Sequence, residues 1–380
     1  MLSTDSLAPS HSWAYLDMIV GMDLTLLPDV FRLGEALGTG ATRADVDRAI
    51  DRGEIRWLRH GWYAKAGPAP PLTEKWEEHR ADHLAQLDLE LRRRPGHAAS
   101  HTSGAIVHRF AVSIRPGAEV DLTAVRRAPV SRREPELGLH SAKIETPVEE
   151  IDGRLTTTRP RTVADFLRVR TVPHGLALLD AALREGQVTM DEVRRALDTQ
   201  RRWRGRPRAL AVLRLADPLR ESWAESYTFG RLHLLGIPMP LHQVDVLDEH
   251  QRWMARLDGL WPHVGVAGEC DGQSKYFLRE PGDDRPLEEV ARDRLEAERR
   301  RQAPIEELGL PFVRWTPDEV RDQPEAVCAR VRGAFAASRP EQFRGYVVYQ
   351  GEARRLPFSV ETPSVDAEDL RYRRRKRRAG

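Results

Sequence analysis

Cysteine is nearly absent from this chain. Two occur among 380 residues, Cys270 and Cys328, far apart and in no CxxC pair, which excludes a disulfide framework and a cysteine-based structural zinc site. Also missing is any apolar run near the roughly twenty residues that a membrane span requires. The first residues, MLSTDSLAPSHSWAYLDM, lack a basic stretch followed by an apolar core, so no cleaved export signal is expected. No membrane association is expected, and the expected location is cytoplasmic. Net charge is small, because 60 basic side chains stand against 58 acidic ones; distribution therefore carries more information than the sum. No repeat with a fixed period of about 20 to 50 residues is visible, which argues against a solenoid or a propeller.

What is present is a globular balance of 40% hydrophobic and 31% charged residues. The chain is too long for one ordinary core, so two or three domains are expected. The fold class expected is α/β multidomain: an N-terminal winged helix over residues 25–66, a mixed α/β middle region over 74–200, and a C-terminal α/β/α domain over 209–350. The Pro-rich stretch Ala66-Gly67-Pro68-Ala69-Pro70-Pro71 closes the first unit, and RRWRGRPR at 201–208 leads into the last. From residue 351 the chain is expected to be a disordered tail. Its end crowds Arg371, Arg373, Arg374, Arg375, Lys376, Arg377 and Arg378 together, a run suited to meeting polyanions.

In the N-terminal unit, a first helix is expected at Phe31–Leu37, followed by a tight turn at Gly38-Thr39-Gly40. Thr42-Arg43-Ala44-Asp45 has capping-box spacing for a second helix. Val46 and Ile50 then fall at i and i+4, leaving Arg43, Asp47, Arg48 and Asp51 outward and Gly53 as the stop. Residues 55–64 read as two short strands around a His60-Gly61 turn. Helix, turn, helix and a β-wing spell a winged helix. Arg52-Gly53, Leu58, Gly61 and Tyr63 resemble the N-terminal antitoxin domain of the AbiEi family. That resemblance implies duplex DNA binding, with Arg43 and Arg48 at the major groove and Arg56 or Arg59 of the wing near phosphates.

The middle region mixes helix, as at Trp76–Arg94, with strand-like pieces such as Ala118–Val125. Strings resembling its HAASHTSGA and LTTTRPRTVAD recur in AbiEi-like proteins. His97, His101 and His108 have no companion carboxylate or cysteine at ligand spacing, so they read as structural histidines and helix caps. The region is expected to space two DNA-facing ends and to contribute to homodimer contacts.

Mg²⁺-dependent phosphodiester hydrolysis needs two or three carboxylates converging on a hydrated cation. Residues 254–260 alternate so that Arg256 and Asp258 share one strand face. After a Trp261-Pro262-His263 turn, residues 264–271 put Glu269 and Asp271 on one face, with Val264, Val266 and Cys270 on the other. If the two strands pair as a hairpin, Asp258 meets Glu269. Upstream, Glu225 sits in a helix whose core side is expected to be Trp223, Tyr227 and Leu234, and it is the third acid. Downstream, a charged helix at 287–308 precedes an apolar strand starting after Gly309.

The order helix, three strands, helix, strand looks like the PD-(D/E)xK fold. The strings AES, LGIPMPLHQ, RLDGLWP, GECDGQSKY and LGLPFVRW together resemble the very-short-patch-repair-like endonuclease branch. The resemblance implies Asp258 and Glu269 as ligands of Mg²⁺ or Mn²⁺, Glu225 as a supporting acid and Gln243 as a site-ordering residue. The usual lysine two residues after the second acid is Asp271 here, so Lys275 is the substitute and Asp271 is available to join the metal sphere. Two functions follow as expectations. One is a DNA endonuclease with a winged-helix module, acting in phage defence or toxin–antitoxin control. The other is a DNA-binding regulator or antitoxin whose nuclease fold is a non-catalytic clamp.

Overall fold

The computed structural model describes residues 22–59, 61–66, 75–115, 117–126, 132–134, 136–141, 144–271 and 303–365. The chain divides into two compact units, Met1–Ala69 and Pro70–Gly380, and its architecture is mixed α/β, with three sheets among the described residues.

In the first unit, β1 (Val30–Arg32) leads into α1 (Leu33–Gly38), α2 (Arg43–Asp51) and the hairpin β2 (Ile55–Arg59) and β3 (Trp62–Lys65). β3 is central, with β1 and β2 antiparallel on either side. The helix expected from Phe31 begins two residues later, because Phe31 pairs with Tyr63 across the sheet and the two rings stack 5.9 Å apart. The capping box at α2 forms as its spacing requires: Thr42 N–H donates to Asp45 Oδ2 at 2.7 Å, and Thr42 Oγ1 accepts from Asp45 N–H at 3.3 Å. Val46 and Ala49 are buried, while Arg43, Asp47, Arg48 and Asp51 are exposed. Gly53 ends the helix at φ +67°, a conformation open to glycine.

The second unit opens with the long helix α3 (Lys75–Arg93), then β4 (His97–Ala99), α4 (His101–Val107), β5 (Val120–Ala124), β6 (Arg132–Glu134), β7 (Leu137–His140), β8 (Val148–Ile151) and β9 (Arg154–Thr157). Its first sheet runs β6-β7-β5-β4-β9-β8. Four helices follow: α5 (Arg159–Val169), α6 (Val172–Arg184), α7 (Met190–Asp198) and α8 (Arg206–Leu215). The last part comprises α9 (Trp223–His233), β10 (Leu241–Leu247), β11 (Trp253–Trp261), β12 (Val266–Cys270), β13 (Phe312–Trp315), α10 (Pro317–Asp322), α11 (Pro324–Ala337), β14 (Tyr346–Tyr349) and β15 (Glu352–Arg354). Here the sheet order is β13-β12-β11-β10-β14-β15; β12 and β13 are parallel and the other neighbours antiparallel.

One apolar core joins α5 to α9 with this sheet, through Leu167, Leu176, Val212, Phe229, Trp261 and Trp315. Glycine makes the closest approaches possible. A Cβ on Gly268 would lie 2.7 Å from Trp261 and 2.8 Å from Trp315, and one on Gly230 would lie 2.7 Å from Leu176 of α6. α9 is therefore buried by both α6 and the sheet, and its core residues are Phe229 and Leu232. Trp223, Tyr227 and Leu234, expected on the core side, are half-buried, with Trp223 and Tyr227 stacked on each other at 4.8 Å.

Two further expectations are corrected. Trp261 belongs to β11, not to a turn: its ring is buried and Nε1–H donates to the Pro238 carbonyl at 2.7 Å. Structure also continues past residue 351, because Leu356 enters a core cluster and Val365 is buried, its N–H donating to His233 Nε2. The arginine-rich run at 371–378 lies outside the described residues, as do 67–71 of the Pro-rich stretch and most of the charged helix at 287–308, of which 303–307 are helical. No helix among the described residues is long and apolar enough to cross a membrane.

Candidate active site

Ser222 caps α9, its Oγ accepting from Glu225 N–H at 3.1 Å and donating to Glu225 Oε1 at 2.7 Å. Oε2 of the same carboxylate accepts from Glu221 N–H at 3.0 Å and from Gln243 Nε2 at 3.3 Å. The local cap thus aims Glu225, which is buried, at the middle of β10. Gln243 meets it from a left-handed kink, φ +53°, which is rare for a non-glycine residue. Such strain in the middle of a strand is a mark of functional positions.

β11 and β12 pair with Gly259 opposite Gly268 and Leu260 opposite Ala267. Continued by one step, that register brings Asp258 to the end of β12, where its Oδ2 accepts from the Cys270 backbone N–H at 3.1 Å. Cys270 itself is half-buried beside this contact. Burial pushes its thiol up to about 12, and the carboxylates of Asp258, Glu225 and Asp271 push in the same direction against a hydrogen bond to Thr228. Cys270 is thus a neutral thiol, unsuited to nucleophilic work; what matters is the carboxylates around it.

Glu269 is held differently. β13 runs parallel to β12 with Arg314 opposite Glu269, and Arg314 donates to Glu269 Oε2 at 2.6 Å while its other terminal nitrogen lies 3.6 Å from Asp271 Oδ2. Sequence reading missed Arg314; its only signal was a charged residue inside the apolar string LPFVRW.

The donor set is carboxylate and amide oxygen, which suits Mg²⁺ or Mn²⁺ better than Zn²⁺. Among the described residues, these acids do not bring three ligand atoms within 4.8 Å of one another. Mg²⁺ commonly needs only one or two carboxylates and fills the rest of its sphere with water, so the residues fit such an ion.

Of the other expected site residues, Lys275 lies outside the described ones. Arg43 and Arg48 are exposed on α2, Arg48 bridging back to Asp45. Arg56 is half-buried on β2, and Arg59 ends that strand. His108 donates from Nε2 to the Thr157 carbonyl at 2.7 Å, and His97 begins β4, both in structural roles.

The fold is that of a mixed α/β multidomain protein, with Glu225, Asp258, Glu269 and Asp271 on or beside the last sheet of its second unit. No family model matches the chain. It is 32% identical over 206 residues to the uncharacterized proteins MT2308 and Rv2248 of Mycobacterium tuberculosis, from strains CDC 1551 / Oshkosh and ATCC 25618 / H37Rv. The match covers 53% of this chain and 70% of each of theirs. The chain belongs to the family of these mycobacterial proteins.

Proposed function

We propose that the chain is a Mg²⁺- or Mn²⁺-dependent DNA endonuclease-like protein: a winged helix at its N-terminus and a PD-(D/E)xK-type nuclease domain in residues 209–350. The observation that carries this reading is Asp258 Oδ2 accepting from the Cys270 N–H at 3.1 Å, at the end of the β11–β12 pairing and next to Glu269, on an α9-β10-β11-β12-β13 order whose last two strands are parallel. Asp258 and Glu269 would hold the ion, which when bound would polarise the scissile phosphate and activate water. Glu225 and Gln243 brace one side of the site, and Arg314 sets the carboxylate of Glu269. Lys275 is the general base or charge stabiliser in this reading. Incubation of the purified chain with supercoiled plasmid and Mg²⁺ or Mn²⁺, with and without chelator, tests it; nicked or linear product that chelator abolishes is the expected result.

The first unit supplies DNA affinity. The exposed face of α2 offers Arg43 and Arg48, and the hairpin offers Arg56 beside the exposed ring of Trp57. Replacing both Arg43 and Arg48 with alanine in the full chain is expected to weaken duplex binding. Because cations in the groove also neutralise the flanking phosphates, the slope of log affinity against log salt should fall too, by up to about two. An unchanged slope in a fluorescence-anisotropy titration would refute the placement of α2 in the groove.

The second reading, a regulator or antitoxin with a non-catalytic clamp, draws support from the Glu269–Arg314 ion pair, which neutralises the carboxylate without a metal ion. Arg314→Ala separates the two. In the nuclease reading, freeing Glu269 raises Mn²⁺ affinity by about tenfold in calorimetry, the scale of one charge-assisted hydrogen bond. Unchanged Mn²⁺ affinity with no cleavage of any DNA form supports the clamp.

A further inference from the structure

Away from the acids of the last sheet, a second cluster has ligand chemistry of its own. His101 at the start of α4, Asp121 on β5 and His140 at the end of β7 each present one donor atom, and these atoms all lie within 4.8 Å of one another. His101 and Asp121 are buried, and the His140 side chain is 26% exposed. We propose that His101, Asp121 and His140 form a binding site for a divalent transition ion of the Zn²⁺ or Co²⁺ class, separate from the carboxylate site at Asp258.

The surroundings are built to hold these donors. His101 takes a left-handed backbone, φ +50°, which is strained for a non-glycine residue, and its imidazole stacks on that of His140 at 3.7 Å. His101 Nδ1 lies 2.9 Å from Ser100 Oγ; in the tautomer whose Nδ1–H donates to that oxygen, Nε2 keeps its lone pair for an ion, the usual way a neighbouring hydrogen bond fixes a ligating histidine. Ser100 Oγ is itself fixed by Thr123 Oγ1 at 2.7 Å. Asp121 is clamped in the same fashion: its Oδ2 accepts from Thr102 N–H at 3.3 Å, and its own N–H donates to Ser103 Oγ at 2.8 Å.

That leaves Asp121 Oδ1 for His140 Nε2, 2.8 Å away, and an ion would take the place of the proton these two now share. Gly138 gives the pair its room, since a Cβ there would lie 2.9 Å from Asp121 Oδ1 and 3.3 Å from His140 Nε2. Burial above all, then the neighbouring His140, lowers His101 to about 3. Burial would raise Asp121, yet the hydrogen bond from His140 and the charges of His101, His140 and Arg170 bring it down to about 2.

Two imidazole nitrogens and one carboxylate oxygen select Zn²⁺, Co²⁺ or their neighbours over Mg²⁺. Three protein ligands leave a fourth position to water, as in catalytic rather than structural zinc sites, and the partly exposed His140 connects it to solvent.

The test is a Zn²⁺ titration of the chelator-stripped full chain by calorimetry, repeated with Co²⁺ by visible absorption. One equivalent is expected to bind. His140→Ala should weaken it by roughly a hundredfold or more and Asp121→Asn by at least about tenfold, since both touch the ion directly. Asp258→Ala should leave it unchanged, and Mg²⁺ in excess should not displace it. Zn²⁺ should also raise the melting temperature of the wild-type chain and not that of folded His140→Ala. No saturable Zn²⁺ binding, or equal binding by folded wild type and His140→Ala, would overturn the proposal.

Discussion

Asp258→Ala and Glu269→Ala are each expected to abolish metal-dependent DNA cleavage, lowering the rate by roughly a thousandfold or more. That is the effect of removing about 4 kcal/mol of ion-mediated charge stabilisation from the transition state. Both side chains also make structural bonds, so the alanine variants carry a second effect. Losing the Asp258 acceptor leaves the Cys270 N–H without this hydrogen bond, and losing Glu269 leaves Arg314 without its 2.6 Å partner. Each is a change of about 1 to 3 kcal/mol in stability. Asp258→Asn and Glu269→Gln keep an oxygen acceptor at each position while removing the charge an ion requires. They should fold like the wild type by circular dichroism and denaturant midpoint, yet cut no faster than the alanine variants. If Asp258→Asn cuts plasmid at the wild-type rate, the ion is not held there and the nuclease reading fails. The Zn²⁺ site at His101 would survive that failure, because the two sites share no residue.

What could be read from the sequence was what depends on neighbours along the chain. Thr42 and Asp45 are three residues apart and cap the helix their spacing implies; Ser222 and Glu225 share that spacing and cap α9, though only the structure revealed it. Strand alternation at 254–271 was enough to bring Asp258 to β12, because β11 and β12 are joined by a short turn and their register follows from it. Long-range pairing was not legible. Arg314 reaches Glu269 across 45 residues, through a parallel pairing that no local pattern encodes. His101 finds Asp121 and His140 on two strands that are neighbours only once the first sheet is formed; among His97, His101 and His108, spacing alone showed no acid companion. The misplaced edges have a common cause. Phe31, Trp261, Leu356 and Val365 follow tertiary burial, and each lies where local propensity suggested helix, turn or tail.

The largest stability loss is expected from Asp165→Ala. Arg161, Asp165 and Arg168 lie at i, i+4 and i+7 on α5, and all three are buried. Asp165 Oδ2 accepts from Arg161 Nε at 2.7 Å, and Oδ1 accepts from Arg168 at 2.7 Å and from Gln200 Nε2 at 2.9 Å. Both guanidiniums also cover the ring of Trp203, each at 4.9 Å. Arg168 extends to Gln200 Oε1 and to the Arg204 carbonyl, tying α5 to the segment before α8. Removing the one carboxylate strands two buried cations, a change of about 3 to 5 kcal/mol, read as a lower urea midpoint at an unchanged slope. Asp165→Asn, which keeps the oxygen but not the charge, should lose less. The pH dependence has a definite sign. Burial raises this carboxyl, but Arg161, His101 and Arg168 outweigh it and hold it well below the usual carboxylate range. The folded value lies below the unfolded one, so the stabilisation is complete above about pH 4 and is lost as pH falls from there through the folded value. The gap in unfolding free energy between wild type and Asp165→Asn should therefore be level from neutral pH down to about pH 5 and narrow only in stronger acid. A gap that instead closes between about pH 8 and pH 6 would assign the effect to a histidine and not to Asp165.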